Sequence, residues 1–375
     1  MLAFRITFVG FGLLASSVAA ALKQAKVPVK IRAVSSPSTL DRAKELGLAD
    51  EFFGYDDVNA WAADSDLILL CSPILHILSM LEKLSHVTPS KKILVTDIGS
   101  TKVKICEAGA KLPKPFVFVG SHPMAGSEKR TLEYSDPSIF ENAYWFVCPP
   151  AGLAESEYAP LTELIAFLGA NRVVFPPEHH DRTMAWVSHM PQMVSSTLAG
   201  NLPERLLSHD YQHFAGRAFR DMTRIAASGW NMWRDIALTN RDEIALALKE
   251  FADGVARTRQ AIDALMPGNP SDDGTAELEQ VFKAGNDGRA SLFAPGHNAS
   301  NSFYEISVQL KDKPGAILGV MQPLAEEHLN VRGIELMKVR ENIAGTLLLA
   351  FKAEADAERA VKTLRYLGYE VKERR

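Results

Sequence analysis

The sequence predicts three domains in succession: a doubly wound α/β domain, an all-helical domain and a small ferredoxin-like α+β domain. Apolar strands alternate with helices as far as residue 175, which is typical of a parallel sheet covered by helices. The pattern is then helical to about Val281, and the segment from Phe303 to Lys372 has the order β-α-β-β-α-β. The predicted domain boundaries are residues 1–177, 178–290 and 300–375.

Short apolar runs define the strands of the first domain. We predict strands over Arg5–Val9, Val29–Val34, Leu67–Cys71, Ile93–Thr96, Phe116–Val119, Ala143–Val147 and Arg172–Phe175. Helices are predicted between them, among them Leu40–Leu46, Ile74–Leu84 and Glu155–Leu168. Two consecutive prolines, Pro176 and Pro177, mark the end of this pattern.

Amphipathic periodicity defines the second domain, and a change back to strands defines the third. Long helices are predicted over Asp181–Leu202, Tyr211–Ala227 and Trp233–Leu265. A turn at Gly268–Gly274 and a linker at Gly285–Ser302 are expected from their glycine, proline and polar residues. The predicted elements of the third domain are Phe303–Leu310, Ala316–Glu327, Val331–Arg340, Gly345–Lys352, Asp356–Leu367 and Tyr369–Lys372.

The composition is that of an ordinary globular protein, and it disfavours several classes of function. The chain has 375 residues, of which 47% are hydrophobic and 23% charged, and its formal net charge is −4. Without an excess of basic residues, binding to nucleic acid is not expected. The three cysteines, Cys71, Cys106 and Cys148, have neither the spacing of a metal site nor the even number of a disulfide framework.

The turn after the first strand carries a dinucleotide-binding fingerprint of the Rossmann type. It has the sequence Gly-Phe-Gly-Leu-Leu-Ala from Gly10 to Ala15, which is G-x-G-x-x-A. Gly10 permits the tight turn, and Gly12 lets a pyrophosphate approach the backbone. The first helical residues, Leu13 and Leu14, then present N–H groups to the anion. The pattern occurs by chance elsewhere, but its place between a strand and a helix favours a cofactor site.

The apolar N-terminus allows a second interpretation, a secretory signal peptide. Gly10 and Gly12 interrupt the run at the point where a strand would turn into a helix. The run is also too short to span a membrane. We therefore expect a cytoplasmic location and no membrane partner.

The end of the second strand bears on the choice of cofactor. An NAD enzyme usually has an acidic residue here, which bonds the ribose 2′-hydroxyl. This chain has Ser35 and Ser36 instead, with Arg32 and Arg42 nearby. Hydroxyl groups can donate to a 2′-phosphate that a carboxylate would repel, so NADP is favoured over NAD. The hydroxyl groups of this segment could equally cap the following helix.

Three polar loops follow predicted strands, and strand ends of a parallel sheet meet at one edge. They are Ser72-Pro73, Asp97–Lys102 and Ser121–Glu128. The first loop and Asp97 are candidates for cofactor contact. The third contains His122, whose position at a strand end suits proton transfer near neutral pH. A histidine there could also merely cap the loop.

In combination, these motifs resemble the prephenate/arogenate dehydrogenase family of tyrosine biosynthesis, in the form with a C-terminal ACT domain. The resemblance covers nearly the whole chain and is carried by Asp97–Lys102, Gly120–Glu128, Val187–Pro191, Phe219–Ala226 and Met232–Asp235. It implies an NAD(P)-dependent oxidative decarboxylation of a cyclohexadienol, either prephenate or arogenate. Hydride leaves the alcohol carbon, carbon dioxide is lost and the ring becomes aromatic.

The resemblance also implies catalytic roles. His122 would accept the proton of the ring hydroxyl, and Ser100 would share its hydrogen-bond network. Arg224 would clamp a carboxylate, for which a bidentate guanidinium is suited. His189 would line the site. Taken alone, His189 could instead be a core histidine, and Arg224 could form a surface ion pair with Asp221.

Four further residues are candidates for substrate contact through the same resemblance. Glu128 would act as a gate at the cleft mouth, Asp221 would orient neighbouring cations and Trp233 would pack at the site. Gln192 stands where many family members have a second histidine, a change that resembles arogenate-preferring, NADP-using relatives. The choice between prephenate and arogenate stays open.

The C-terminal segment resembles an ACT domain, which implies feedback control. Asp312, Pro314, Gly315 and Asn330 match the turn and helix end where ACT domains hold an amino acid, most plausibly tyrosine here. The helical domain implies a homodimer.

Two rival interpretations remain. A β-hydroxy acid dehydrogenase would rely on a lysine of the helical domain, where Lys249 lies in a charged, exposed stretch. An inert amino-acid sensor would use the ACT domain alone. Adjacent His179 and His180 could suggest a metal, but their side chains diverge on a helix and hydride transfer needs none, so no metal is expected.

Overall fold

A computed structural model describes residues 4–126, 131–202, 215–265, 273–292, 304–311, 313–337 and 345–374. The chain divides into two compact units, residues 1–256 and 257–375. Within the described residues, no helix combines the length and apolar character needed to cross a membrane.

An eight-stranded sheet organises the first unit, in the order β3-β2-β1-β4-β5-β6-β7-β8. Its strands are β1 (Phe4–Val9), β2 (Val29–Val34), β3 (Glu51–Phe53), β4 (Leu67–Leu70), β5 (Ile93–Asp97), β6 (Phe116–Pro123), β7 (Tyr144–Cys148) and β8 (Asn171–Val174). The strand order changes direction between β1 and β4. In open α/β sheets, ligands bind beyond the carboxyl ends of the strands at that point.

Two features of this sheet differ from the prediction. Strand β7 runs antiparallel to β6, so the sheet is mixed rather than fully parallel. A parallel neighbour needs a long crossover, usually a helix, whereas the described part of the β6–β7 connection holds only a short 3-10 turn at Leu132–Tyr134. Strand β3 was not predicted because its three residues are all half-buried and form no apolar run.

Helices cover both faces of the sheet. They are α1 (Leu13–Gln24), α2 (Pro37–Glu45), α3 (Val58–Ala62), α4 (Ile74–Ser85), α5 (Val103–Gly109) and α6 (Ala159–Phe167). Because successive strand residues point to opposite faces, Leu67 and Leu69 pack in one hydrophobic cluster and Ile68 and Leu70 in the other. The strand ends are thereby fixed between two packed layers.

The helical segment that follows contains breaks that the prediction did not include. Its elements are α7 (Pro177–Met184), a π-helical turn (Ala185–His189), α8 (Met190–Gly200), α9 (Arg217–Thr223), a 3-10 turn (Arg224–Ala227), α10 (Trp230–Thr239) and α11 (Arg241–Asp263). The predicted helix over Trp233–Leu265 is wrong, because the chain leaves the helical conformation at Asn240. The start of the predicted helix Tyr211–Ala227 lies outside the described residues.

The second unit confirms the predicted β-α-β-β-α-β order. Its elements are α12 (Asp273–Leu292), β9 (Tyr304–Leu310), α13 (Ala316–Glu326), β10 (Val331–Met337), β11 (Gly345–Phe351), α14 (Glu354–Tyr366) and β12 (Val371–Arg374). The four strands form an antiparallel sheet in the order β10-β11-β9-β12. The linker prediction is wrong for residues 285–292, where α12 continues. Two glycines there cost about 1 kcal/mol each relative to alanine, which the rest of a 20-residue helix outweighs.

Candidate active site

A cavity of about 390 Å³ lies beyond the carboxyl ends of β5 and β6. Its wall includes Ser100, His122, Ser188, His189, Met232 and Trp233. The structure therefore brings together Ser100, His122, His189 and Trp233 of the residues predicted for the site. They come from the strand ends on one side and from the π-helical turn and α10 on the other.

A chain of hydrogen bonds holds His122 from behind. His122 is the seventh residue of β6 and only 8% exposed. Its Nδ1 lies 2.9 Å from Nε2 of His180. The Nδ1 of His180 in turn lies 2.8 Å from Oδ1 of Asp181. This carboxylate also accepts the backbone N–H groups of Lys102 at 2.6 Å and Val103 at 2.9 Å, at the start of α5.

Burial keeps the two pocket histidines and His180 neutral. It lowers the pKa of His122 well below its usual value, and the nearby His180, Lys102 and His189 lower it further. Burial also lowers the pKa of His180, against the opposing effect of its bond to Asp181. The pKa of His189 falls to about 4 for the same reason. At neutral pH, His122 therefore has a lone pair with which to accept a proton.

The π-helical turn aims Ser188 and His189 at the pocket. Pro191 follows within the first turn of α8, and a proline has no N–H with which to continue the helical hydrogen bonds. The widened turn at 185–189 is the expected local response. His189 is 1% exposed, and its Nδ1 lies 3.1 Å from Nδ2 of Asn240.

A buried ion pair braces the loop that carries Ser100. The ammonium group of Lys102 bonds the carboxylate of Asp97 and, at 2.6 Å, the carbonyl of Ser121. Asp97 also accepts the N–H groups of Gly99 at 2.7 Å and Ser121 at 3.0 Å. Its side chain is fully buried and engaged in these bonds. Asp97 thus organises the loop beside His122 rather than presenting its carboxylate to a cofactor, as the sequence had suggested.

The turn after β1 has the geometry of a nucleotide cradle. Gly10 has a φ of +93°, and a Cβ there would lie 2.9 Å from the backbone of both Cys71 and Ser72. Gly12 occupies the N-cap position of α1, so no side chain caps the first N–H groups of this helix. The buried Oγ of Ser72 has no hydrogen-bond partner among the described residues. An unpaired polar atom beside a tightly packed glycine turn fits a phosphate-bearing ligand.

The other residues predicted for the cofactor have mixed placements. Leu13 is buried and Leu14 half-buried on the first turn of α1, Pro73 is exposed before α4, and Ser35 is buried at the end of β2. Ser36 is exposed at the N-cap position of α2, where its side chain makes no capping hydrogen bond, and its Oγ lies 3.0 Å from Oγ1 of Thr39.

The two arginines that favoured NADP differ in availability. Arg32 is 5% exposed and engaged with Glu51 at 2.7 Å and with the carbonyls of Trp61 at 2.8 Å and Ala60 at 2.9 Å. It is therefore a structural residue. Arg42 is exposed on α2 and pairs with Glu45 at 2.7 Å.

Three predicted residues lie away from the cavity wall. Arg224 and Asp221 are exposed, and no ion pair involves either of them within the described part of the chain. Gln192 is 5% exposed and fastens the 3-10 turn of Arg224 to α8, donating to the carbonyl of Ile225 at 2.9 Å and accepting from Ser228 at 3.2 Å. Its amide braces the helices instead of lining the pocket. Glu128 lies outside the described residues.

The residues predicted for an effector are not brought together within one chain. Pro314 and the left-handed Gly315 (φ +79°) precede α13, whereas Asn330 follows its other end. An 11-residue helix is about 16 Å long. All three residues are exposed, and Asp312 lies outside the described residues.

His180, Asp181 and Asn240 were not predicted as residues of the site. The sequence pattern at His179 and His180 suggests only a metal site, which hydride transfer does not need. The available signal was a histidine followed by an aspartate at the start of a helix. Their contact with His122, 58 residues away, depends on the fold.

Comparison with known proteins identifies the family. Residues 18–174 match the family model for the nucleotide-binding domain of prephenate dehydrogenase, and residues 176–283 match the model for its dimerization domain. The prephenate dehydrogenase of Bacillus subtilis is 31% identical over 358 residues, which is 95% of this chain and 94% of that protein. The chain belongs to the prephenate dehydrogenase family.

Other similar proteins have names that differ in the substrate. A cyclohexadienyl dehydrogenase of Zymomonas mobilis is 28% identical over 76% of this chain and 95% of its own length. Among solved structures, the Aquifex aeolicus prephenate dehydrogenase with hydroxyphenyl propionate and NAD⁺ has a TM-score of 0.65 and 26% identity, covering 77% of this chain and 99% of that one. The Synechocystis arogenate dehydrogenase has a TM-score of 0.64 and 27% identity, covering 77% and 100%.

Proposed function

We propose that this chain oxidises prephenate or arogenate with NAD(P) and releases carbon dioxide. The observation that carries the proposal is the buried, neutral His122 in a pocket at the carboxyl ends of the strands, in a member of this family. The ring hydroxyl loses its proton to His122, and the carbon that bears it loses hydride. The bond to the ring carboxylate breaks, its electron pair completes the aromatic ring, and the proton on His122 returns to the phenolate oxygen of the product.

The residues of the pocket position the ring and handle one proton. His122 accepts the hydroxyl proton, and Ser100, on the neighbouring strand-end loop, contributes a hydroxyl to the same hydrogen-bond network. His189 and Trp233 close the opposite wall, with their rings edge to face and centroids 6.1 Å apart. Because aromatisation supplies much of the driving force, orientation and proton removal are the main tasks left to the protein.

NAD(P) binds along the edge formed by Gly10, Gly12 and Ser72 in this proposal. When bound, its nicotinamide accepts the hydride. The preference for NADP over NAD rests on α2, whose first turn contains no acidic residue. The hydroxyls of the exposed Ser36 and the half-buried Thr39 stand at the N-terminus of this helix, where a 2′-phosphate would also meet the helix dipole.

Prephenate and arogenate both remain candidate substrates. They differ at the side chain, which is a keto acid in prephenate and an amino acid in arogenate. The resemblance at Gln192 favours arogenate, but the amide of Gln192 is engaged with Ile225 and Ser228. This residue therefore gives no direct evidence about the side chain of the substrate.

A homodimer is proposed through the helical segment. Between residues 186 and 255, its large exposed side chains include Trp186, Val187, Met222, Trp230, Leu238 and Val255. Trp230 is 68% exposed and Leu238 62%. Apolar area of this kind usually marks an interface. Arg224 lies between Met222 and Trp230 in sequence, so we propose that it clamps a substrate carboxylate in the assembled dimer.

An ACT function of the second unit is also proposed, with tyrosine as the effector. The ferredoxin-like fold and the exposed turn at Pro314-Gly315 support it. Because Asn330 lies at the other end of α13, a site using all of these residues requires two copies of the domain. Inhibition by tyrosine should weaken in the full-length Asn330→Ala variant, and unchanged inhibition would point to competition at the active site.

Product analysis tests the reaction. With prephenate or arogenate and NADP, reduced cofactor and carbon dioxide should form in equal amounts, together with hydroxyphenylpyruvate or tyrosine. Reduced cofactor without carbon dioxide would indicate a simple hydroxy acid dehydrogenase. Lys249, the lysine considered for that chemistry, is 72% exposed and paired with Asp253. If no pairing of substrate and cofactor gives turnover, the remaining interpretation is an amino-acid sensor.

A further inference from the structure

Two histidines line the pocket, and each has one ring nitrogen engaged inside the protein. His122 uses Nδ1 toward Nε2 of His180, at 2.9 Å, and His189 uses Nδ1 toward Nδ2 of Asn240, at 3.1 Å. In a neutral imidazole, one nitrogen donates and the other accepts. The partner of the engaged nitrogen therefore determines what the other nitrogen, Nε2, presents to the pocket.

The hydrogen bonds behind His122 end on a carboxylate, which sets their direction. Both oxygens of Asp181 accept backbone N–H groups, from Lys102 and Val103, so toward His180 they act as acceptors. The proton of His180 must then be on Nδ1, 2.8 Å from Oδ1, because two lone pairs would otherwise face each other. Its Nε2 accepts, so Nδ1 of His122 donates. The lone pair of His122 is consequently on Nε2.

The same reasoning gives His189 the opposite arrangement. Nδ2 of Asn240 lies 2.8 Å from the main-chain oxygen of Asp181. A carbonyl oxygen only accepts, so the amide atom facing it is the nitrogen. The second proton of that amide points to Nδ1 of His189, which must accept. His189 is therefore protonated on Nε2.

We propose that His180, Asp181 and Asn240 are positioning residues that hold the two pocket histidines in opposite tautomers. His122 offers an unprotonated Nε2 that accepts a proton, and His189 offers a protonated Nε2 that donates a hydrogen bond. The carboxylate of Asp181 acts on His122 through His180, and the main-chain oxygen of Asp181 acts on His189 through Asn240. The inference rests on the proposed function, since it explains how that site keeps its base and its donor distinct.

This arrangement also supports the charge that develops on His122. When its Nε2 takes the hydroxyl proton, the ring becomes a cation and keeps its Nδ1–H bond to His180. The carboxylate of Asp181, two hydrogen bonds away, offsets that buried positive charge. The proton stays on His122 until it returns to the oxygen of the product, and neither His180 nor Asp181 changes its own protonation.

Nuclear magnetic resonance reads the tautomers directly. Long-range ¹H–¹⁵N spectra of the full-length protein, labelled with ¹⁵N-histidine, distinguish protonated from unprotonated ring nitrogens. We expect the proton of His122 on Nδ1 and that of His189 on Nε2, with signals assigned by His122→Asn and His189→Asn. A proton on Nε2 of His122, or a lone pair on Nε2 of His189, would overturn the proposal. The free protein is measured, so this outcome does not depend on the reaction proposed above.

Three variants, studied by kinetics and by the same spectra, separate a positioning role from a packing role. His180→Phe keeps a ring in place but removes both nitrogens, and should lower kcat about 10- to 100-fold with little change in KM. Asn240→Leu should change the spectrum of His189 and leave that of His122 unaltered. His179→Phe is the matched control, since His179 is exposed on the same helix and packs on Phe175. Wild-type kcat in His180→Phe, or an equal loss in His179→Phe, would contradict the proposal.

Discussion

Replacing Lys102 with methionine should destabilise the first unit by about 3–5 kcal/mol, because it leaves a buried carboxylate without its cation. The side chains of Lys102 and Asp97 are both fully buried. Methionine is similar in length, so most of the loss comes from the charge and from the freed carbonyl of Ser121 rather than from a cavity. For a unit of this size, the melting temperature should fall by roughly 6–20 °C.

The loss should depend on pH in a defined direction. Burial raises the pKa of Asp97, and Lys102 opposes that rise. In the variant the pKa rises further, so the folded state binds a proton at a pH where the unfolded chain does not. Stability of the variant relative to wild type therefore improves as pH falls, and the deficit is largest at neutral pH.

Denaturant unfolding followed by circular dichroism, at neutral and mildly acidic pH, measures both effects. Lys104→Met, two residues further along the chain in α5, is the matched control. Its ammonium group lies 3.1 Å from Glu107 but its side chain is 57% exposed, so the loss should be below about 1 kcal/mol. Equal losses in the two variants, or a deficit for Lys102→Met that grows on acidification, would contradict the role of the buried ion pair.

Three further predictions concern the cofactor edge and the pocket. Gly10→Ala should cost about 2–5 kcal/mol of stability, because its Cβ would lie 2.9 Å from the Ser72 backbone and φ is +93°. It should also abolish NADP binding in calorimetry, and normal binding would contradict this prediction. Ser36→Asp should raise KM for NADP relative to NAD by about tenfold or more, through repulsion of the 2′-phosphate; an unchanged ratio would place the phosphate elsewhere. The pKa of His189 is about 4 when folded and 6.5 as a reference, so the unfolded state binds more protons between these values. Above about pH 6.5 the protonation of His189 does not affect the free energy of unfolding. Toward pH 4 that free energy should fall by about 3 kcal/mol because of His189, and His189→Asn should reduce this slope in denaturant unfolding.

The sequence was informative wherever a local pattern has one physical cause. The glycine turn at Gly10 and the apolar strands place the nucleotide edge, because positive φ and continuous apolar runs leave few alternatives. The β-α-β-β-α-β order of the last domain followed from alternating residues and short turns. Ser100, His122, His189 and Trp233 meet in one pocket, as the family resemblance implied.

The rest depends on long-range geometry that no local pattern records. The direction of β7 is decided by how its connection returns, not by its own residues. At the break between α10 and α11, the side-chain amide of Asn240 bonds the carbonyl of Asp181, far away in sequence. Gln192 and Asp97 looked like ligand-binding groups because they are polar and near site motifs, yet both are used to hold backbone segments together.

The most direct test of the account is an initial-rate assay with prephenate or arogenate, each combined with NAD or NADP, for wild type and His122→Asn. We expect turnover in at least one pairing, with NADP preferred. We also expect a kcat about 10²- to 10⁴-fold lower in the variant, the usual contribution of a general base. Full activity in His122→Asn would contradict the role of His122, and no turnover by the wild type in any pairing would contradict the proposed reaction itself.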